Sequence, residues 1–353
     1  MERLKVVSLF CGCGGMDLGL TGGFSYLGNY YGRSIFDIVF AVDNDPYCTK
    51  IYNRNFEHGC QVKDVKDLHI DALPELDVLI GGFPCQSFSI SAQNPPRLGY
   101  KDDRGMLFFE MVKILKNKQP RFFIAENVKG LLSANGGKAF PMILEQFRGA
   151  GYHVTYKLLN AADYGVPQKR ERVIIMGFRN IDDFSAFSFP EKLSYTIPLR
   201  NVVDADADKN SKWFFSDKAV AGMMLVRDKM NKGRAQNLDE PCNTISSHLA
   251  KVSLNSTDPV LMVDGRYRRF TPREAARIQS FPDDFDLDDV SDIRKYRAIG
   301  NAVPPVLMWQ IANSFQSSVF GKGIDNHAMA DICPSFKIKK NKETVQLSLF
   351  NMG

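Results

Sequence analysis

The chain has 353 residues, 44% hydrophobic and 24% charged, a composition typical of a globular protein of about two domains. The net charge of +5 permits contact with a polyanion without requiring it, and the scattered cysteines and histidines lack the spacing of a zinc site. No apolar run reaches the roughly 18–20 residues of a membrane span, so we expect a cytoplasmic protein without a signal peptide or a transmembrane helix.

The first half alternates short apolar segments with amphipathic ones, which predicts an α/β fold with an open, mostly parallel sheet. Strands are predicted at residues 6–10, 38–42, 78–80, 122–125, 154–159 and 172–178, and helices at 46–56, 106–116 and 139–149. After about residue 181 this alternation stops, which indicates a second, irregular domain. Helical patterns return at 272–279 and 303–319, and the Lys-rich end, 331–353, is predicted to be a loosely attached tail.

A glycine-rich turn, FCGCGG at 10–15, follows the first predicted strand. Such a turn lets the backbone approach a ligand closely, although glycines of this kind also serve packing. The second strand ends near Asp43, where a carboxylate can accept from both hydroxyls of a ribose. Either Asp43 or Asp45 is expected to cap the helix that begins at Pro46. With Asp64 able to reach an adenine amino group, the pattern favours S-adenosylmethionine as the cofactor.

The third predicted strand leads into GGFPCQSFS at 81–89, which cannot continue a strand or a helix and therefore presents Cys85 from a loop. A lone cysteine is more often a buried hydrophobic residue, but the flanking proline and polar residues favour an active site. Glu126 follows the apolar segment 122–125, at the sheet edge where ligands bind; a surface glutamate is the alternative. The basic run 168–172 suits phosphate or a carbonyl oxygen, although such runs commonly form solvated surfaces.

These blocks, in this order, resemble the DNA cytosine-5 methyltransferases. The resemblance covers nearly the whole chain except about 181–262 and the tail. It is carried by FCGCGG at 10–15, GFPCQSFS at 82–89, RGMLF at 104–108, ENV at 126–128, QKRERV at 168–173, RFTPREAAR at 269–277 and GNAVPP at 300–305. It implies a Rossmann-like catalytic and cofactor-binding domain at 1–180, a smaller irregular target-recognition domain with a hinge at 181–295, and a return to the catalytic domain at 296–330.

The resemblance also implies roles for single residues. Cys85 would be the nucleophile, Glu126 would hydrogen-bond and protonate the N3 edge of cytosine, and Arg170 and Arg172 would be supporting cations. The S-adenosylmethionine pocket would be lined by Phe10, Gly12, Cys13, Gly14, Gly15, Asp43, Asn44, Asp64, Val65, Pro84, Leu107, Asn301 and Ala302. Asn44 departs from the aromatic residue often found there, so stacking on the adenine would be weaker or supplied by Val65. The block 269–277 would brace the recognition domain.

The implied reaction methylates C5 of a cytosine flipped out of a specific double-stranded DNA sequence, through a covalent bond between Cys85 and C6. The resemblance predicts a bacterial, nucleoid-associated monomer that needs no metal and no membrane. It would act either in a restriction–modification system, with an endonuclease as genetic partner only, or as an orphan methyltransferase. Two alternatives are a tRNA methyltransferase, which the long variable region disfavours, and a silent DNA-binding scaffold, which the intact Cys85 and Glu126 disfavour. Specificity is expected from residues 181–265, which end near PCNTI at 241–245.

Overall fold

The structure is a computed structural model that describes residues 2–84, 107–222, 235–251, 258–324 and 326–328. The predicted nucleophile, Cys85, and the predicted tail lie outside these ranges. The strands are β1 (Leu4–Leu9), β2 (Phe24–Tyr26), β3 (Asn29–Tyr31), β4 (Phe36–Asp43), β5 (Gln61–Val62), β6 (Val78–Gly81), β7 (Phe122–Val128), β8 (His153–Asn160), β9 (Gln168–Lys169), β10 (Glu171–Phe178), β11 (Cys242–Asn243), β12 (Leu261–Val263), β13 (Arg266–Arg268) and β14 (Asn326–Ala328). The helices are α1 (Gly15–Thr21), α2 (Pro46–Asn55), α3 (Leu107–Lys118), α4 (Ala139–Gly149), α5 (Ile181–Ala186), α6 (Pro272–Ile278), α7 (Asp292–Asn301) and α8 (Pro305–Phe320).

A seven-stranded sheet forms the centre of the molecule, in the order β5-β4-β1-β6-β7-β10-β8. Every strand runs parallel to its neighbours except β10, which is antiparallel to both β7 and β8. The predicted α/β fold with a mostly parallel sheet is therefore confirmed. From β1 the chain builds the sheet outward through β4 and β5, then crosses to β6 and β7 on the other side. Ligands bind outside the carboxyl ends of the strands at such a reversal of strand order.

Both faces of the sheet are covered, so its central strands are apolar on both sides. All four residues of β6 are buried. Successive side chains of a strand point to opposite faces, and Phe122 and Phe123 show the result. The Phe122 ring packs on Phe315 of α8, with centroids 4.8 Å apart, and the Phe123 ring packs on Phe147 of α4, at 4.4 Å. The sheet thus separates two hydrophobic clusters, one under α1 and α8 and one under α3 and α4.

Two predicted element boundaries differ from the structure in ways that matter for function. The strand predicted to stop at residue 125 continues to Val128, because β10 pairs with it from Phe122 to Val128. Glu126 therefore lies inside β7 rather than after it. The helix predicted from residue 303 begins at Pro305, because Pro304 has an extended backbone and occupies the cap position.

The chain beyond residue 181 is irregular, as predicted, but it shares the core of the sheet domain. Leu199, Cys242, Ile245 and Phe270 belong to the same hydrophobic cluster as the residues under α1 and α8. Three of its strands take part in two short ladders, β9–β11 and β12–β13, of which β9 precedes residue 181. The proposed domain boundaries stay a prediction. None of the described helices has the length and apolar character needed to cross a membrane.

Candidate active site

Most predicted site residues lie at the carboxyl edge of the parallel strands. The glycine turn follows β1, Asp43 ends β4, residues 64–65 follow β5, residues 82–84 follow β6, and Glu126 lies near the end of β7. Because parallel strands end at one edge of a sheet, these segments are brought together from distant parts of the sequence.

The glycine turn has a backbone that requires glycine. Gly12 and Gly14 have φ angles of 56° and 90°, in the left-handed region. A Cβ atom on Gly15 would collide with the carbonyl oxygen of Val303, so this glycine permits close packing against the segment after α7. A Cβ atom on Gly12 would meet nothing within 4 Å. The turn is therefore packed against protein on one side and open at Gly12, which fits a bound ligand there.

Of the two acids that the sequence offered as a helix cap, Asp45 takes that position. Asp45 caps α2, and its carboxylate accepts from two N–H groups of the first turn. The Asp43 carboxylate accepts from the N–H groups of Gly12 (2.9 Å) and Asp45 (2.8 Å). Burial raises the pKa of Asp43, and these two hydrogen bonds oppose that shift. Asp43 is thus fixed against the glycine turn, and the exposed Asn44 lies between the two acids.

The remaining predicted cofactor residues occupy short connections and helix ends. Asp64 caps a 3-10 turn by accepting from the N–H of Lys66 (3.0 Å), Val65 is buried beside it, and Pro84 is half-buried after β6. The Cys13 thiol donates to the carbonyl of Ala298 (3.6 Å), and burial raises its pKa to about 12. Leu107 is buried at the start of α3, Asn301 is exposed at the end of α7, and the buried Ala302 follows it. Their roles in holding the cofactor stay predictions.

Glu126 and Arg172 form a nearly buried ion pair. Arg172 Nε lies 2.8 Å from Glu126 Oε1, and the two side chains are 11% and 12% exposed. Burial lowers the pKa of Arg172, while the facing carboxylate raises it. The other oxygen, Oε2, lies 3.2 Å from where a Cβ atom on Gly82 would be. One carboxylate oxygen is therefore held by arginine, and the other faces the backbone that leads to Cys85.

Asn127 anchors that backbone, a role that sequence reasoning missed. Its Nδ2 donates to the carbonyl of Phe83 (3.0 Å), and the Phe83 ring packs on Phe108 with centroids 5.3 Å apart. The segment immediately before Cys85 is thus fixed to β7 and α3. The sequence signal was the position of Asn127, directly after Glu126.

Arg170 is only 1% exposed and makes its contacts away from Glu126. Its guanidinium donates to the carbonyls of Ile245 (3.1 Å), Gly300 (2.8 Å) and Ala302 (3.0 Å). Burial lowers the pKa of Arg170 well below its usual value, and the charge of Arg172 adds to that shift. The basic run is therefore not a solvated surface at this position. A catalytic role for Arg170 stays a prediction, while its hydrogen bonds brace three segments.

Asp17, a second buried acid, fixes the helix that follows the glycine turn. Asp17 accepts from Ser8 Oγ (2.8 Å) and from the Tyr52 hydroxyl (2.6 Å), which joins α1 to β1 and α2. Burial raises the pKa of Asp17 to about 6, against the effect of these two hydrogen bonds. Within the described ranges, no group of three or more His, Cys, Asp or Glu side chains is arranged to hold a metal ion.

Comparisons with known proteins identify the family and the fold of the chain. The family model for C-5 cytosine-specific DNA methylase matches residues 4–317. The Type II methyltransferase M.FnuDI of Fusobacterium nucleatum is 34% identical over 351 residues, covering 90% of this chain and 96% of the relative. The Type II methyltransferase M.Bsp6I of Bacillus sp. (strain RFL6) is 30% identical over 328 residues, covering 90% and 99%. Among solved structures, the Entamoeba histolytica methyltransferase EhMeth shares the fold, with a TM-score of 0.69 at 18% identity over 90% of this chain and 99% of that one.

Proposed function

This chain belongs to the C-5 cytosine-specific DNA methylases and is an S-adenosylmethionine-dependent DNA cytosine-5 methyltransferase, and from that premise we propose how its residues act. Cys85 attacks C6 of a flipped cytosine while Glu126 serves the N3 edge of the same base. The observation that carries this proposal is the Glu126–Arg172 pair, whose second carboxylate oxygen faces Gly82 in the segment that leads to Cys85.

The described residues fit the cofactor. Gly12 leaves open space beside the turn, and the Asp43 carboxylate is fixed at the end of β4, where a ribose can be held. The turn 10–15, Asp43 and the segment around Asn301 and Ala302 would hold S-adenosylmethionine. When bound, this cofactor supplies an electrophilic methyl group on a sulfonium.

The residues act on the base in a fixed order. Cytosine C5 is a poor nucleophile, so the thiolate of Cys85 adds to C6 while N3 gains a proton, which converts C5 into an enamine carbon. With the cofactor bound, C5 would take its methyl group with S-adenosylhomocysteine as the leaving group. The C5 proton would then leave to a base, N3 would return its proton to Glu126, and elimination of the Cys85 thiolate would restore the C5–C6 double bond. Arg172 holds one oxygen of Glu126, so the other meets the N3 edge without reorientation. The base must leave the duplex first, at a cost of a few kcal/mol.

Sequence reading is assigned to residues 181–265, and the described part of this region supports that assignment. Strand β12 of this region pairs with β13, which directly follows the region, and the Arg266 guanidinium of β13 lies 4.2 Å over the ring of Phe214. Lys212 lies 4.5 Å over Trp213 in the same way. Both cations are exposed, and Arg266 lies on a two-stranded β-ribbon, an element that the major groove of DNA admits. The relatives named Type II methyltransferases support a role in a restriction–modification system, with an endonuclease as genetic partner.

Cytosine-conversion sequencing of a plasmid from a host that expresses the chain tests the activity. We expect C5 methylation within one sequence motif, abolished by Cys85→Ser and retained by the control Cys333→Ser. A duplex with 5-fluorocytosine at that motif should trap Cys85 covalently, because fluorine cannot leave as the C5 proton does. An adduct on another cysteine contradicts the assignment, and methylation of tRNA instead of the plasmid contradicts the substrate.

A further inference from the structure

A cluster of buried polar side chains lies between two segments of this chain. Gln168, Arg170 and Gln279 are each at most 1% exposed. They lie between two segments. Residues 242–247, here called the junction segment, belong to the later part of the proposed recognition region, and residues 299–303 are here called the return segment. We infer that Gln168 and Gln279 are positioning residues that couple DNA engagement at the junction segment to cofactor binding at the return segment.

The two glutamines form a continuous hydrogen-bond chain across the gap. Gln168 Oε1 accepts from the N–H of Ile245 (2.9 Å), and Gln168 Nε2 donates to Gln279 Oε1 (2.8 Å) and to the carbonyl of Ile278 (3.3 Å). Gln279 Nε2 then donates to the carbonyls of Ile299 (2.7 Å) and Ala302 (3.2 Å). These bonds use both N–H donors and the carbonyl oxygen of each amide group, in one orientation. The chain thus links an N–H of the junction segment to two carbonyls of the return segment.

The two segments also touch directly, backbone to backbone. A Cβ atom on Gly300 would collide with the main chain of Ser246 and Ser247. Arg170 spans the same contact, since it donates to Ile245 on one side and to Gly300 and Ala302 on the other. A shift of one segment must therefore displace the other.

Each end of this cluster leads to a different part of the proposed active site. The return segment packs on the glycine turn, where a Cβ atom on Gly15 would collide with Val303. On the other side, β11 of the junction segment pairs with β9, and Thr244 Oγ1 donates to the carbonyl of Lys169 (2.7 Å). Three residues further on, Arg172 holds Glu126.

Buried hydrogen-bond networks favour discrete arrangements, because a half-satisfied buried amide is costly. Two ligands that both favour the fully bonded arrangement must strengthen each other's binding by the same factor. This inference rests on the proposed function, which places DNA at the recognition region and the cofactor at the glycine turn.

The test measures the dissociation constant of S-adenosylhomocysteine with and without a saturating duplex that carries the methylated motif. We expect the duplex to tighten binding at least ~5-fold in the wild type, the lower end of common coupling factors, and less than ~2-fold in Gln279→Leu. The control is Gln316→Leu, since Gln316 is also buried and also bonds to main-chain groups, of Ile35 and Gly323, but lies in α8. Three outcomes would overturn the inference. The first is a duplex that does not change the dissociation constant of S-adenosylhomocysteine in the wild type. The second is an effect of the duplex that is the same in Gln279→Leu as in the wild type, and the third is an effect that falls equally in Gln316→Leu.

Hydrogen exchange on the wild type keeps the inference testable if Gln279→Leu does not fold. S-adenosylhomocysteine alone should slow exchange at the N–H of Ile245, which bonds to Gln168, and should leave the N–H of Leu193, bonded to Asp163, unaffected. Unchanged exchange at Ile245 would overturn the coupling. A wild type that methylates DNA without this coupling defeats only this inference, whereas one that methylates no DNA defeats the proposed function.

Discussion

At the scale of single residues, Glu126 is the side chain whose geometry says most about catalysis. Glu126→Gln removes the carboxylate that serves N3, so we expect kcat to fall by ~10²–10⁴, the usual contribution of a positioned acid or base. The rate constant for single-turnover methylation of the cognate duplex measures the fall in the rate of catalysis. Glu171→Gln is the control, because Glu171 forms an exposed ion pair with Lys129 in the same part of β10. Turnover of Glu126→Gln within threefold of wild type would show that the Glu126–Arg172 pair is structural.

Asp43 and Asp45 allow a matched comparison of binding with stability. Asp43→Ala should weaken S-adenosylmethionine binding by about 1.5–3 kcal/mol, the value of a hydrogen bond to a charged group. Asp45→Ala removes the cap of α2 and should instead lower the free energy of unfolding by about 1 kcal/mol. Calorimetric titration and urea denaturation of both variants separate the two effects. If Asp45→Ala weakened cofactor binding and Asp43→Ala lowered stability instead, Asp45 would be the cofactor-binding acid and Asp43 the structural one.

The sequence could identify these acids but not divide their roles, because both precede the same helix. It could not identify Gln279 at all. Gln279 donates to main-chain carbonyls, which every residue possesses, and its side-chain partner Gln168 lies 111 positions away in the sequence. Arg170 was singled out as a cation, yet its hydrogen bonds reach residues 75 to 132 positions away. Local patterns carry no information about such distant contacts.

At the scale of elements, the start of α6 carries a fully buried ion pair between Arg268 and Glu274. Glu274 accepts from both terminal nitrogens of Arg268 (2.9 and 2.8 Å) and from the N–H groups of Thr271 and Asp204. Both charged side chains are 0% exposed. These bonds join the β12–β13 hairpin, the helix and the loop at residue 204 through one carboxylate.

Glu274→Gln should therefore lower the free energy of unfolding by about 3–5 kcal/mol, because it removes a negative charge that faces a buried arginine. Urea denaturation measures the loss. Glu110→Gln, which breaks the surface pair with Lys113, should cost about 0.5 kcal/mol or less. If both variants lost the same free energy of unfolding, the buried Arg268–Glu274 pair would be no more important for stability than the Glu110–Lys113 pair.

Elements with a clear period were predictable from the sequence. The helix predicted at 139–149 was confirmed at both ends, since its apolar face has helical spacing. Thr271 and Glu274 have capping-box spacing, a signal that the sequence offered and our prediction did not use. The antiparallel direction of β10 could not be predicted, because an apolar strand buried on both faces has the same pattern in either direction.

At the scale of the whole molecule, the division of labour between core and recognition region leads to a prediction about specificity. Replacing residues 181–265 with the counterpart from a relative should redirect methylation to the relative's motif and leave cofactor affinity unchanged. The physical reason is that groove-facing side chains, worth ~1–3 kcal/mol for each good bidentate base contact, reside in the replaced region. Conversion sequencing of plasmid DNA identifies the new motif. A folded chimera that still methylates the original motif would locate specificity in the catalytic loops.

The two-domain division was inferred from composition, which showed where βα alternation stops but not where hydrophobic side chains are buried. Cys242 and Ile245 complete the core beneath the sheet domain, and α8 crosses back to cover that domain's face. Such long-range burial depends on the assembled fold, so no local window of sequence could have predicted it.

The cluster around Gln168 has a consequence for how this enzyme can acquire new specificities. The side chains of Gln168 and Arg170 bond to the N–H and the carbonyl of Ile245 in the junction segment, atoms that any amino acid other than proline would also provide. The main-chain groups that hold the junction segment in place therefore do not depend on its amino-acid sequence. Substitutions in the proposed recognition region can therefore change its DNA contacts while the hydrogen bonds between the junction segment and the catalytic domain stay the same. The DNA sequence that is methylated could thus change in evolution without a change in the residues that transfer the methyl group.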